Sequence, residues 1–133
     1  MVEGVAIPRA IIEELRRRGL NPEDAVLDAL AKAMNLDPSI VVEARIELAV
    51  EYLNEGKDLI DKDLVQASEE LYKAVEAISE RLGKWFRQNW DTANYLHVRG
   101  SHEAKLGPEI VKVRLPYIEK AVNEAIRVVG FKP

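Results

Sequence analysis

Both histidines of the 133-residue chain lie in one stretch, N-Y-L-H-V-R-G-S-H-E-A-K, residues 94–105. An imidazole exchanges a proton near neutral pH, and a guanidinium holds a phosphate or stabilises charge developing on it. His97, Arg99 and His102 are therefore suited by type to metal-independent cleavage of RNA, with a histidine as general acid and base and Arg99 as phosphate stabiliser. The other chemistry to weigh is a metal site built from His97, His102 and Glu103. Zinc held on one helix normally wants its histidines four residues apart, which places both on one face. Here the spacing is five, which on a regular α-helix separates the side chains by roughly 140°, and Gly100 stands between them. No metal site is expected from that pattern, and no motif calls for a cofactor. Cysteine is absent, which removes disulfides and thiolate chemistry. The plain reading of the stretch is the polar end of a helix that breaks or caps at Gly100. Arg99 would then pair on the surface with Glu103 or Asp91, a contact of little energetic weight.

The surroundings of the stretch sharpen the choice. Formal net charge is −4, but it is unevenly spread. Residues 37–83 carry five Lys or Arg against twelve Asp or Glu, whereas residues 84–120 carry seven against four. Five of the eight aromatic residues, Trp85, Phe86, Trp90, Tyr95 and Tyr117, fall in that basic segment. Basic charge interleaved with aromatic rings suits a ligand that carries phosphate and stacks. The alternative is a small aromatic core beneath ordinary surface cations. Residues 1–36 hold five basic and six acidic side chains, so no positive field there favours a DNA backbone.

Helix punctuation recurs along the chain. Pro8 opens a helix running to Gly19, with Arg16, Arg17 and Arg18 complementing its carbonyl end. Asn21-Pro22-Glu23-Asp24 reads as cap, first helical residue and two acidic residues over the positive end of a second helix, to about Asn35. Asp37-Pro38-Ser39 opens a third, ending near Gly56. Asp61 or Asp63 caps a fourth, in which Leu64, Ala67, Leu71, Ala74, Ile78 and Leu82 step by three and four as a bundle seam requires. Residues 84–98 can form another helix, with Trp90, Ala93 and His97 on one side. A loop is expected from Ser101 to Gly107. After Gly107-Pro108 a last helical region carries Leu115, Ile118, Val122, Ala125 and Val129, and Pro116 should kink or divide it. Only Ile110 to Leu115 hints at β structure, so the chain is expected to be all-α.

A length of 133 residues is in the range of one domain. A boundary between an N-terminal helical arm, residues 1–36, and a bundle core, residues 37–133, is marked by the short Pro-flanked helices. Such an arm can pack on a second subunit. No run of about 18 apolar residues is present to span a bilayer, and the N-terminus has no basic start followed by an apolar core, so a cytoplasmic location is expected. Abundant Lys, Arg and Glu without Cys leans toward a thermophile.

Two stretches carry a resemblance to a known family. Tyr52-Leu53-Asn54-Glu55-Gly56-Lys57, followed by the segment from Gln66 to Ala77, resembles the central helical hairpin of the archaeal PaREP family. Residues 93–106 resemble that family's second signature, of the type L-H-x-x-G-x-H-E-A-K, with Ser101 standing where an aromatic residue is expected. The resemblance implies a helical hairpin and names no reaction. The hairpin is also similar, more loosely, to the HEPN superfamily of four-helix nucleotide-binding and ribonuclease domains. That likeness implies, for active members, an Arg and a His separated by four to six residues, on facing helices of a dimer, that cleave RNA by attack of the 2′-hydroxyl. Here only two residues separate Arg99 from His102, which weakens the nuclease reading.

The chain is thus expected to be an antiparallel, HEPN-like helical bundle with a short N-terminal helical pair. Its expected role is a non-catalytic binding or regulatory module for a nucleotide, RNA or a protein partner, acting as a homo-oligomer away from the membrane. Its expected ligand-facing surface is Trp85, Arg87, Trp90, His97, Arg99, His102 and Glu103. The alternatives are a metal-independent ribonuclease of toxin type, or a purely structural oligomerisation module with the basic aromatic segment buried.

Overall fold

The computed structural model describes residues 2–78, 94–102 and 107–129, the side chains of residues 100–102 and 129 excepted. All regular structure among the described residues is helical. The α-helices are α1 (Arg9–Arg17), α2 (Pro22–Ala33), α3 (Pro38–Leu59), α4 (Leu64–Ile78) and α5 (Pro108–Val129), with a π-helical segment, Leu96–His102, before α5. No helix among the described residues is long and apolar enough to cross a membrane. The chain divides into two compact units, Met1–Ala44 and Arg45–Pro133.

In the first unit, local chemistry sets the helix ends. The Asp24 amide donates to Asn21 Oδ1 at 3.2 Å with Pro22 in the first turn of α2, so one orphan donor is satisfied and the ring costs no hydrogen bond. α1 closes with Gly19 at φ 74°. The Gly19 and Leu20 amides donate back to the Arg16 and Leu15 carbonyls at 2.9 and 3.0 Å, a left-handed termination that glycine adopts without steric cost. α2 ends in the same way at Asn35, φ 50°. Neither α1 nor α2 contains a buried residue.

The second unit holds the core. Ala67, Leu71, Ala74 and Ile78 of α4 are buried, the seam that their spacing predicts. α4 is capped by Asp63, whose Oδ1 accepts from the Gln66 amide at 3.1 Å. On α5, Val111, Ile118, Val122 and Ala125 are buried, and α5 packs on α4. Each fully buried Val, Leu or Ile side chain among these contributes about 1.5–3 kcal/mol by leaving water.

Three expectations need correction, and that for Pro116 is narrowed. Gly56 does not end α3, which runs three residues further to Leu59. It is instead a point of close approach, since a Cβ there would lie 2.8 Å from Leu71 Cγ and Cδ2 of α4. Pro116 does not divide α5, which is one helix from Pro108 to Val129. Pro116 is exposed, so water can take the Lys112 carbonyl that loses its helical donor. Ser101 and His102 are π-helical, not the start of a loop. Gly100 likewise neither breaks nor caps the helix, because the backbone continues through it in π geometry.

α3 and α4 also meet through carboxyl groups. Glu70 is buried and accepts from Gln66 Nε2 at 2.6 Å and Lys73 Nζ at 3.4 Å. Glu55 of α3 shares a hydrogen bond with Glu70. Lost hydration, then that hydrogen bond and the negative charges of Glu70 and Glu51, hold the Glu55 carboxyl above its usual range.

Candidate functional site

The π-helical segment packs against α4. Its first residue, Leu96, is fully buried, and His97 beside it is half-buried. A π turn is closed by i→i+5 hydrogen bonds. It therefore has more residues per revolution, and successive side chains diverge less than on an α-helix. Leu96 and His97 can consequently both engage α4, while Val98 and Arg99 are exposed.

Two residues of α4 hold the His97 ring. Nδ1 lies 2.8 Å from Glu69 Oε2, and an ionised carboxylate only accepts, so Nδ1 is the donor. That bond selects the tautomer and leaves Nε2 as the basic nitrogen. The face of the ring stacks on Tyr72, centroid to centroid 4.1 Å at 21°. Tyr72 is itself constrained, because burial first, and then a hydrogen bond to Glu76 and the charges of Glu76 and Glu69, push its phenol well above the usual range. His97 and Glu69 side chains each keep 26% of their surface exposed. The ring is therefore held in place at the surface and not enclosed.

A second aromatic contact lies two residues earlier in sequence. Arg114 of α5 places its guanidinium carbon 4.4 Å from the centroid of the Tyr95 ring. Both are half-buried, and a cation over a phenol ring in this setting is worth about 0.5–2 kcal/mol. Arg114 is thus a cation over an aromatic ring, and Arg99 is an exposed cation on the same positively balanced segment.

Of the residues singled out from sequence, His97 and Arg99 are placed on this surface. Trp85, Arg87, Trp90 and Glu103 lie outside the described residues, as does the side chain of His102. The separation of roughly 140° expected for His97 and His102 belongs to a regular α-helix, whereas the backbone from Leu96 to His102 is π-helical. Among the described residues, no group of three or more His, Asp or Glu side chains could hold a metal ion. Sequence reasoning did not single out Glu69, Tyr72, Glu76 and Arg114. Glu69, Tyr72 and Glu76 do repeat at spacings of three and four, a polar stripe beside the apolar seam of α4, and that was the available signal.

The model of the archaeal PaREP1/PaREP8 family matches residues 44–79 and 75–122, more than half of the chain. The chain belongs to the archaeal PaREP1/PaREP8 family. The matched stretches take in Glu69, Tyr72, Tyr95, His97, Arg99 and Arg114, so the whole histidine site of this PaREP1/PaREP8 chain lies within them. No curated protein and no solved structure matches the chain.

Proposed function

We propose that the protein is a non-catalytic binding module whose ligand carries phosphate and a stacking base, a nucleotide or single-stranded RNA. One observation carries the reading: the π turn presents His97, fixed by Glu69 and Tyr72, in the same short segment as the exposed Arg99 and the Arg114-capped ring of Tyr95. Base-aromatic stacking and guanidinium–phosphate contacts are the two ingredients of sequence-tolerant single-strand binding. π turns are also met often at functional sites. Titration of a fluorescent RNA oligonucleotide at several salt concentrations tests it. Binding should weaken with salt, and Arg99→Ala or Arg114→Ala should each lower affinity and reduce the salt slope by about one. Absence of binding at low salt would favour a purely structural module.

The His97–Glu69 hydrogen bond favours a second reading, a metal-independent ribonuclease. A carboxylate-oriented imidazole can take the proton of a 2′-hydroxyl as that oxygen bonds to phosphorus. The P–O5′ bond breaks, the 5′-oxygen takes up a proton, and a 2′,3′-cyclic phosphate is left. Incubation with RNA in EDTA distinguishes the two. Cyclic-phosphate ends that vanish in His97→Ala support the enzyme, and intact RNA under binding conditions supports the module.

A further inference from the structure

α5 has two apolar faces. Val111, Ile118, Val122 and Ala125 are buried within the unit. On the other side Ile110, Val113, Tyr117 and Val128 are 44%, 69%, 45% and 60% exposed. Their spacings of three, four and eleven keep them on one stripe of the helix. Isolated exposed apolar residues need no explanation, but a row of four between residues 110 and 128, roughly 27 Å along the axis, marks a contact surface.

The charges beside the stripe select its occupant. Glu109 and Lys120 are both exposed, lie along the same edge, and are eleven residues apart, roughly 16 Å along the axis. We propose that this face of α5 is the interface with a second copy of the chain, paired antiparallel about a two-fold axis between Val113 and Tyr117. In that arrangement Val113 of each copy packs on Tyr117 of the other, and Glu109 of each copy comes near Lys120 of the other. A parallel pairing in the same register would set Lys120 against Lys120 and Glu109 against Glu109, which opposes it. A two-fold contact is the usual closed form for identical chains. The interface does not rest on the ligand reading, since none of Glu109, Val113, Tyr117 and Lys120 is placed in that site.

Sedimentation equilibrium of the full chain and its variants tests the interface. The wild type should form a dimer, and Val113→Glu should weaken self-association at least about tenfold with an unchanged far-ultraviolet circular dichroism spectrum, because Val113 is solvent-exposed within the single chain. Glu109→Lys and Lys120→Glu should each weaken the dimer, and the two changes together should restore it even if Val113→Glu were to misfold. Because the chain has no cysteine, orientation is read from disulfides. Val113→Cys protein mixed with Tyr117→Cys protein should cross-link to each other in preference to themselves. A wild type that stays monomeric, a dimer indifferent to Val113→Glu, or cross-linking of each variant chiefly to itself would overturn the proposal.

Discussion

The imidazole of His97 has its orientation and tautomer set by neighbours that come from a different helix. Glu69 takes the Nδ1 proton and Tyr72 covers one face, so the ring loses rotamer freedom before any ligand arrives. Glu69→Ala should abolish a slowly exchanging Nδ1 proton signal in NMR spectra and lower RNA affinity without changing helix content. The phenol of Tyr72 makes a second point at this scale. Burial, together with Glu76 and Glu69, raises its folded pKa above the ordinary value of 10.0. The associated stabilisation is fully present below about pH 10 and is lost as pH rises through the folded value. Ultraviolet titration should show this tyrosine ionising only well above pH 10 or on alkaline unfolding, and Glu76→Gln should bring its ionisation down. Histidine and arginine were legible in the sequence as residue types. The partners of His97 were not, because a hydrogen bond across 28 positions leaves no local pattern.

Individual helices follow their local signals except where packing overrides them. Asn21, Asp37 and Asp63 cap as their positions before the apolar stripes predict: Asp37 Oδ1, for example, accepts from the Ser39 amide at 2.8 Å. Gly56 is the exception, a residue that reads as a stop and serves as a contact. Gly56→Ala gains about 1 kcal/mol of helix propensity but drives a methyl group into the fully buried Leu71. Overpacking of this kind costs about 1–3 kcal/mol, so a net loss of stability is expected in urea denaturation. The Glu55–Glu70 contact is testable at the same scale. With the folded pKa of Glu55 raised above 4.5, its contribution is present below pH 4.5 and is lost as pH climbs through the folded value. Glu55→Gln keeps a donor for Glu70 at every pH. The variant should therefore be more stable than the wild type near neutrality, by a margin that shrinks as pH falls toward 4.5.

For the whole molecule, buried surface is concentrated in the second unit. α1 and α2 have no buried residue, and their ion pairs, such as Arg9–Glu13 at 2.7 Å, are exposed and contribute little. Amides of α1 and α2 should exchange with deuterium well before those of α4. A variant lacking residues 1–36 should keep the helical signal of α4 and α5 and bind ligand as the full chain does, which calorimetry and titration would check. By itself the sequence determined the all-helical class, the caps, the α4 seam and the segment that carries the histidines. These are consequences of composition, of 3.6-residue periodicity and of side chains bonding to amides two or three positions away. Tertiary structure alone decided that α3 passes through Gly56, that α5 passes through Pro116, and that the histidine stretch winds as a π turn. It also paired His97 with Glu69 and Tyr72, and left a second apolar stripe of α5 exposed among the described residues. The physical reason is common to all five: each depends on what a neighbouring helix, or the lack of one, presents at a distance of a few ångströms, and that information is spread over residues far apart in the chain.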